Sequence, residues 1–255
     1  MLSSISLEPS SPYIFFRNFS MRTLARFICL TLFILLFNPT GAESADFQKG
    51  LGAYHRGNYG MALREWRPLA EQGSISAQTR LGIMYELGLG VSKNNKIALK
   101  WYALAAAQGY ADAQYYLGMM YQEGQGVSQN YKIAVQWYTL AAEQGNVDAQ
   151  TSLGMMYELG QGVSQNHKIA ARWYTRAAKQ GIPAAQYALG VLYALGSGVP
   201  RDDVYAYMWA NISDANGIEE GGLLRDELSE KMTPAQVTKA QNMSDACVKK
   251  NFKGC

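Results

Sequence analysis

Apolar and polar residues alternate along this chain in a pattern that repeats every 36 positions. Aligned without a gap, residues 110–145 and 146–181 are identical at 25 of 36 positions. Residues 74–109 share the layout, and the chain follows it again from Ile182 to about Asn211. A fixed period of this length predicts an array of small units that stack to form one continuous core.

Within one unit the apolar positions have the spacing of two helices. Ala113, Leu117 and Met120 fall on one side of a first helix, which we name helix A. Two rows of residues spaced four apart predict a second helix, which we name helix B: Ile133, Trp137 and Ala141, and Ala134, Tyr138 and Ala142. Since two helices cannot bury these faces alone, neighbouring units must pack together.

Glycines and short polar residues mark the helix ends. A Gly-x-Gly pair follows each helix A, as in Gly124 and Gly126, and glycine readily adopts the positive φ of a helix C-terminus. Gly118 lies within helix A, where its small size predicts close contact with helix B. Each helix B is preceded by a residue that can cap it, namely Asn94, Asn130, Asn166 or Asp202.

The period also divides the chain. We expect a degenerate first repeat over 43–73, four repeats over 74–109, 110–145, 146–181 and 182–213, and a C-terminal helical cap over 214–255. Within the cap, Leu223 to Lys231 predicts a short helix. Thr233-Pro234-Ala235-Gln236 predicts the start of a helix that runs to about Val248.

The repeated residues resemble the Sel1-like repeat, a relative of the tetratricopeptide repeat. The resemblance rests on recurring positions that include Ala113, Leu117-Gly118, Tyr121, Gly124, Gly126-Val127, Asn130, Trp137-Tyr138, Ala141-Ala142 and Gln144-Gly145. It implies an all-α fold, a right-handed αα-superhelix in which helix A lines the concave side. It also implies an adaptor role, often in bacterial envelopes, secretion and host contact.

The first 42 residues have the order of a secretory signal peptide. Arg17, Arg22 and Arg26 precede an uncharged run, Phe27–Phe37, which is too short to span a bilayer as a helix. Thr40-Gly41-Ala42 then predicts cleavage after Ala42. An uncleaved anchor is the alternative, and translation starting at Met21 would give a more typical basic segment.

Export would change the charge and the cysteine count. Removing residues 1–42 removes three arginines and one glutamate, which leaves 20 basic and 19 acidic residues. This balance argues against nucleic acid as a partner. Cys247 and Cys255 would remain as an even pair, which predicts a disulfide, with two free thiols or an intermolecular bridge as alternatives.

No pattern in the sequence indicates catalysis, a metal or a cofactor. His55 and His167 have no partner at metal-ligand spacing. The Gly-x-Gly pairs follow no predicted strand and precede no Gly-Lys-Ser/Thr, so they do not predict a phosphate site. We therefore expect a protein that is not an enzyme.

The candidate binding residues lie on the side of helix A opposite Leu117 and Met120. This side mixes aromatic, methionine and polar groups, which suits a protein interface. We expect these residues to contact a partner: Thr79, Ile83, Glu86, Tyr115, Met119, Gln122, Thr151, Met155, Glu158, Tyr187 and Val191. The alternative is that they only pack helix A against its neighbours. The recurring Trp101, Trp137, Trp173 and Trp209, with Tyr85, Tyr121, Tyr157 and Tyr193, we assign to the core.

Taken together, these patterns predict a secreted or periplasmic adaptor that binds a peptide or a helix of another protein on its concave face. After signal cleavage we expect no membrane contact. Two alternatives remain. One is a cell-wall or β-lactam hydrolase, and the other is a permanent subunit of an envelope secretion or exopolysaccharide assembly.

Overall fold

The computed structural model of this chain describes residues 45–255, which form twelve α-helices and no strand. The predicted signal peptide lies outside the described residues. Within the described part, no helix combines the length and the apolar character needed to cross a membrane. The helices are α1 (Ala45–His55), α2 (Tyr59–Glu71), α3 (Ile75–Leu87), α4 (Asn95–Ala107), α5 (Ala111–Glu123), α6 (Tyr131–Glu143), α7 (Val147–Leu159), α8 (His167–Ala178), α9 (Pro183–Leu195), α10 (Asp203–Ala215), α11 (Glu219–Lys231) and α12 (Pro234–Lys249).

The helices form a solenoid of stacked pairs, which confirms the all-α repeat fold. From α1 to α10, odd-numbered helices are helices A and even-numbered helices are helices B. Each helix A packs against helix B of its own unit and against helix B of the unit before. Successive core clusters, such as the one that contains Leu117 and Met120, therefore join neighbouring units.

Local sequence sets the ends of the helices as predicted. Gly124 follows α5 with a φ of 73°, and its amide donates to the carbonyl of Met120. Asn130 caps α6, since its side-chain oxygen accepts from the amide of Ile133 over 3.1 Å. The same two devices recur in the other full units.

Glycines bring the helices into close contact. A Cβ on Gly118 would lie 2.7 Å from Cδ1 of Tyr138, so the tyrosine ring occupies the space that a side chain would need. A Cβ on Gly126 would lie 2.5 Å from the backbone carbon of Asn95, in the preceding unit. The first contact was predicted from the sequence. The second shows that this loop also joins one unit to the next.

A buried glutamine in helix A links three helices. Gln114 donates through Nε2 to the carbonyl of Ala106 in the preceding helix B over 3.3 Å. Its Oε1 accepts from Nε2 of Gln144 at the end of its own helix B over 2.8 Å. Gln78, Gln150 and Gln186 repeat this arrangement, with Asn216 as the last donor.

The C-terminal segment extends the solenoid by one helix A. α11 spans the residues 36 positions after α9, whereas the sequence pattern predicted a helix only from Leu223. The predicted start was wrong, because the helix begins at Glu219 and includes Gly221 and Gly222, which by themselves disfavour a helix. Here they allow close packing, since a Cβ on Gly221 would lie 2.7 Å from the carbonyl oxygen of Ala210.

The last helix, α12, begins and ends close to the predicted positions. Thr233 and Gln236 form a reciprocal capping box, and Pro234 opens the helix. α12 packs on the last helix B, α10, and not in the place of a further helix B. It therefore covers the side of α10 that its neighbours α9 and α11 leave free. We call this side of a helix B its outer side.

Candidate functional site

The predicted binding residues form three rows along the helices A, and the structure gives each row different surroundings. The first row contains Thr79, Tyr115, Thr151 and Tyr187. The second contains Ile83, Met119, Met155 and Val191. The third contains Glu86, Gln122 and Glu158.

The first row is engaged within the protein. Thr79 is buried, and its hydroxyl donates to the carbonyl of Ile75 over 3.0 Å. Thr151 makes the same bond to Val147 over 2.9 Å. The ring of Tyr115 lies 5.8 Å from that of Tyr138, and Tyr187 is half-buried. These contacts leave the first row little surface for a partner.

The third row binds the tyrosines of helix B. The hydroxyl of Tyr102 donates to Oε2 of Glu86 over 2.6 Å, and Tyr174 donates to Glu158 over 2.7 Å. Burial and then this hydrogen bond raise the pKa of both phenols well above its usual range. Gln122 accepts the corresponding bond from Tyr138 over 2.7 Å. The third row thus holds helix A to helix B of the same unit.

The second row is the accessible one. Met155 is exposed, and Ile83, Met119 and Val191 are half-exposed. Ile83 and Met119 also pack on the core from its edge. None of the four is among the buried residues of its helix. A partner could therefore contact this row along its length.

Three exposed leucines belong with the second row and were missed by the sequence analysis. Leu87, Leu159 and Leu195 are between 57% and 69% exposed. Each lies four residues after a second-row position, one helical turn along the same side. The signal was available, because each leucine immediately precedes the glycine that ends helix A, where a polar residue would be expected.

These residues together form one apolar surface that crosses four successive helices A. We name it the helix A stripe, and it consists of Ile83, Leu87, Met119, Met155, Leu159, Val191 and Leu195. Exposed carboxylates accompany it: Asp112 and Asp148 lie near the start of α5 and α7, and Glu123 at the end of α5 stands where the other three helices have their leucine. The stripe can bury apolar side chains, and these carboxylates favour a partner with basic groups.

The repeated aromatic residues lie between the units. Trp209 is buried, whereas Trp101, Trp137 and Trp173 are half-buried and pack on the core clusters. The recurring tyrosines are half-buried in the same way, namely Tyr85, Tyr121, Tyr157 and Tyr193. Tyr102 and Tyr138, each one position after a tryptophan, are fully buried, and so is Trp66 in the first unit.

Outside the stripe, the residues of chemical interest are Cys247, Cys255 and His167, and each has a place in the fold. Cys247 and Cys255 form a disulfide with their Cα atoms 5.5 Å apart. Phe252, between them, packs against the turn at Gly181. His167 occupies the first turn of α8. Residues 45–255 contain no group of three or more His, Cys, Asp or Glu side chains arranged to hold a metal ion.

Comparison with known families assigns most of the repeats. The model of the Sel1 repeat matches residues 75–110, 111–146, 147–182 and 183–213. Together these stretches cover more than half of the chain. The comparison with curated proteins found no match to this chain.

Two solved structures are similar in sequence and fold. A Sel1 repeat protein from Oxalobacter formigenes is 33% identical, with a TM-score of 0.69 over 80% of this chain and 84% of its own. A protective antigen of uropathogenic Escherichia coli with an SLR fold is 31% identical, with a TM-score of 0.72 over 90% of this chain. This chain spans about half of that antigen, matching 49% of its length.

Proposed function

Because this chain belongs to the Sel1 repeat family, whose members are generally protein-interaction scaffolds, we propose that it is an exported adaptor that binds a partner protein along the helix A stripe. The observation that carries the proposal is the exposure of Leu87, Leu159 and Leu195 at one repeated position. An exposed row of large apolar side chains is typical of a surface that another protein covers.

The stripe suits a helix or an extended peptide with apolar side chains on one face. The stripe has apolar side chains on four successive helices A, so a bound segment can be anchored at several points in a line. Methionine side chains adapt to different shapes. The accompanying carboxylates of Asp112 and Asp148 favour lysine or arginine at the flank of the bound segment. Binding of this kind makes and breaks no covalent bond.

Export is supported by two independent features. The N-terminal sequence has the order of a signal peptide, and the chain carries a disulfide between Cys247 and Cys255. We expect the mature protein to begin at Glu43. N-terminal sequencing of protein from the exported fraction measures this directly, and a membrane-bound form that retains residues 21–42 would contradict it.

Photo-crosslinking tests the binding surface in the native cell. A photoreactive amino acid at position 159 or 195 should give the same discrete adduct, because both positions lie on the stripe. The matched control is position 136, where Gln136 is exposed on helix B. An adduct from position 136 alone, or equal adducts from all three positions, would contradict binding at the stripe.

A further inference from the structure

The outer side of the last helix B shows what kind of element this side of the solenoid accepts. α12 lies along α10, and the hydroxyl of Ser244 donates to the carbonyl of Met208 over 3.2 Å. Cys247 shares one core cluster with Trp209 and Ile212. Because of this cover, Ile212 is only 1% exposed. The chain thus provides its own example of a helix bound to the outer side of a helix B.

The covering helix presents mostly small side chains. Ala240, Ser244 and Cys247 are buried and spaced so that they share one side of α12. Met243 packs at the edge of the same cluster. Small residues let two helices approach closely, and a methionine fills the gaps that remain.

The same outer side of α4 is open. The residues of α10 that border α12 include Tyr205, Met208, Asn211, Ile212 and Ala215. Counting back three repeats of 36 residues, the equivalents in α4 are Ile97, Lys100, Ala103, Leu104 and Ala107. Four of these five are apolar, Leu104 is 50% exposed, and no element within residues 45–255 covers it.

The other three helices B do not keep this character. In α2 the equivalent positions include Arg64, Arg67 and Glu71. In α6 Leu140 keeps the place of Leu104, but three of the other four equivalent positions are polar, namely Gln136, Thr139 and Glu143. In α8 the guanidinium of Arg176 stands where α4 has Leu104, and it lies 4.7 Å above the ring of Trp173. The apolar outer side is therefore specific to α4 and to α10, and only α10 has its cover.

Charge distinguishes the occupant of α4 from α12. Lys100 stands where α10 has Met208, and Lys96 is exposed one turn earlier. Neither lysine forms an ion pair with any residue of the described chain. A helix that covers α4 as α12 covers α10 would therefore gain from a carboxylate beside Lys100.

We propose that the outer side of α4 is a second binding surface, and that its occupant is an amphipathic helix of a partner protein. The contact side of that helix carries small residues and a methionine, and it places an acidic side chain beside Lys100. This surface lies on helix B, so it does not depend on the helix A stripe.

A stapled peptide tests the surface with a probe of known chemistry. The probe is residues 234–249 with Cys247→Ser, held helical by a staple between positions 238 and 242, which are exposed in α12. A second probe adds Ala246→Glu to supply the carboxylate, because Ala246 is exposed in α12 and borders the same cavity as Met208, the counterpart of Lys100. Fluorescence anisotropy with the purified chain should show saturable binding of both. The acidic probe should bind about threefold tighter at low salt, and Lys100→Gln should abolish that difference.

Variants of the protein locate the peptide. Leu104→Lys should weaken both probes about tenfold or more, because it places a charge within the buried contact. Leu140→Lys on α6 and Leu195→Lys on the helix A stripe should leave binding unchanged, and equal melting temperatures show that the variants fold. Absence of saturable binding would overturn the proposal. So would binding that Leu104→Lys does not affect, because the peptide would then be replacing α12 on α10 or binding elsewhere. Either failure leaves the proposed function of the stripe untouched.

Discussion

At the scale of single residues, the helical glycines show that a missing side chain can determine packing. Gly118 faces the ring of Tyr138 so closely that even a methyl group would collide with it. Gly118→Ala should therefore lower the free energy of unfolding by about 1–3 kcal/mol. Urea unfolding measures this.

Gly60 provides the matched control. It also lies in a helix, but a Cβ at this position would meet nothing within 4 Å. Gly60→Ala should be neutral or stabilising by up to about 1 kcal/mol, since alanine favours the helix. Equal effects of the two substitutions would show that Gly118 matters only through helix propensity.

The buried tyrosines should make the protein sensitive to alkali. Burial raises the pKa of Tyr102 above its ordinary 10.0, and the hydrogen bond to Glu86 raises it further. The folded chain thus keeps a proton that the unfolded chain loses above about pH 10. The free energy of unfolding should then fall by up to about 1.4 kcal/mol per pH unit for each such tyrosine.

Phenylalanine has no proton to lose, so Tyr102→Phe should make this fall less steep by up to the same amount. Urea unfolding at several pH values between 10 and 11.5 gives the slope. Tyr174→Phe should act in the same way, because Tyr174 has the same surroundings. Slopes equal to that of the wild type in both variants would contradict a buried, protonated phenol.

Among individual residues, the sequence predicted those whose role is local. The caps at Asn130 and Thr233 follow from short-range rules, and the structure contains both. The binding side of helix A was less accessible to prediction. A helical wheel identifies the side away from Leu117 but cannot show that Glu86 and Gln122 face the next helix. That depends on how far each helix rotates when three helices pack around it.

At the scale of elements, the C-terminal helix depends on its disulfide. The bond between Cys247 and Cys255 closes a short loop, and Phe252 within it packs on the turn at Gly181. Cys247→Ser with Cys255→Ser should destabilise the end of α12 by up to about 2.6 kcal/mol, from the entropy of closing nine residues. The first units should be unaffected.

Hydrogen exchange followed by mass spectrometry separates these regions. Exchange should increase in residues 240–255 and at the turn near Gly181, and stay unchanged in α3 to α6. Under non-reducing conditions, wild-type protein from the exported fraction should be about two mass units lighter than its reduced form. Uniformly faster exchange along the whole chain would contradict a local role.

Sequence also explains the elements unequally. The 36-residue period predicted the helix pairs, because each unit carries the same caps and glycines. It did not predict that α11 continues the period, since α11 has Arg225 and Asp226 where α9 has Leu189 and Gly190. The place of α12 on α10 goes with changes at several positions of the period, one of which has Lys100, Gln136 and Arg172 in the earlier units and Met208 in the last.

At the scale of the whole molecule, a solenoid exposes more surface than a compact domain of the same length. Its repeated positions place similar side chains in lines across several units. The helix A stripe is such a line, and the outer side of α4 is a separate surface on the other helix layer. An adaptor of this shape could hold two partners at once.

Binding at the helix A stripe is measured by the affinity of the partner that crosslinking at position 159 or 195 recovers. We expect Leu159→Lys with Leu195→Lys to weaken binding of that purified partner by about 100-fold, because two anchors at the interface become charged. The melting temperature should stay the same, since both leucines are exposed. Gln136→Lys on helix B should bind as the wild type does. Unchanged affinity of the double variant, in a protein that melts normally, would contradict binding at the helix A stripe.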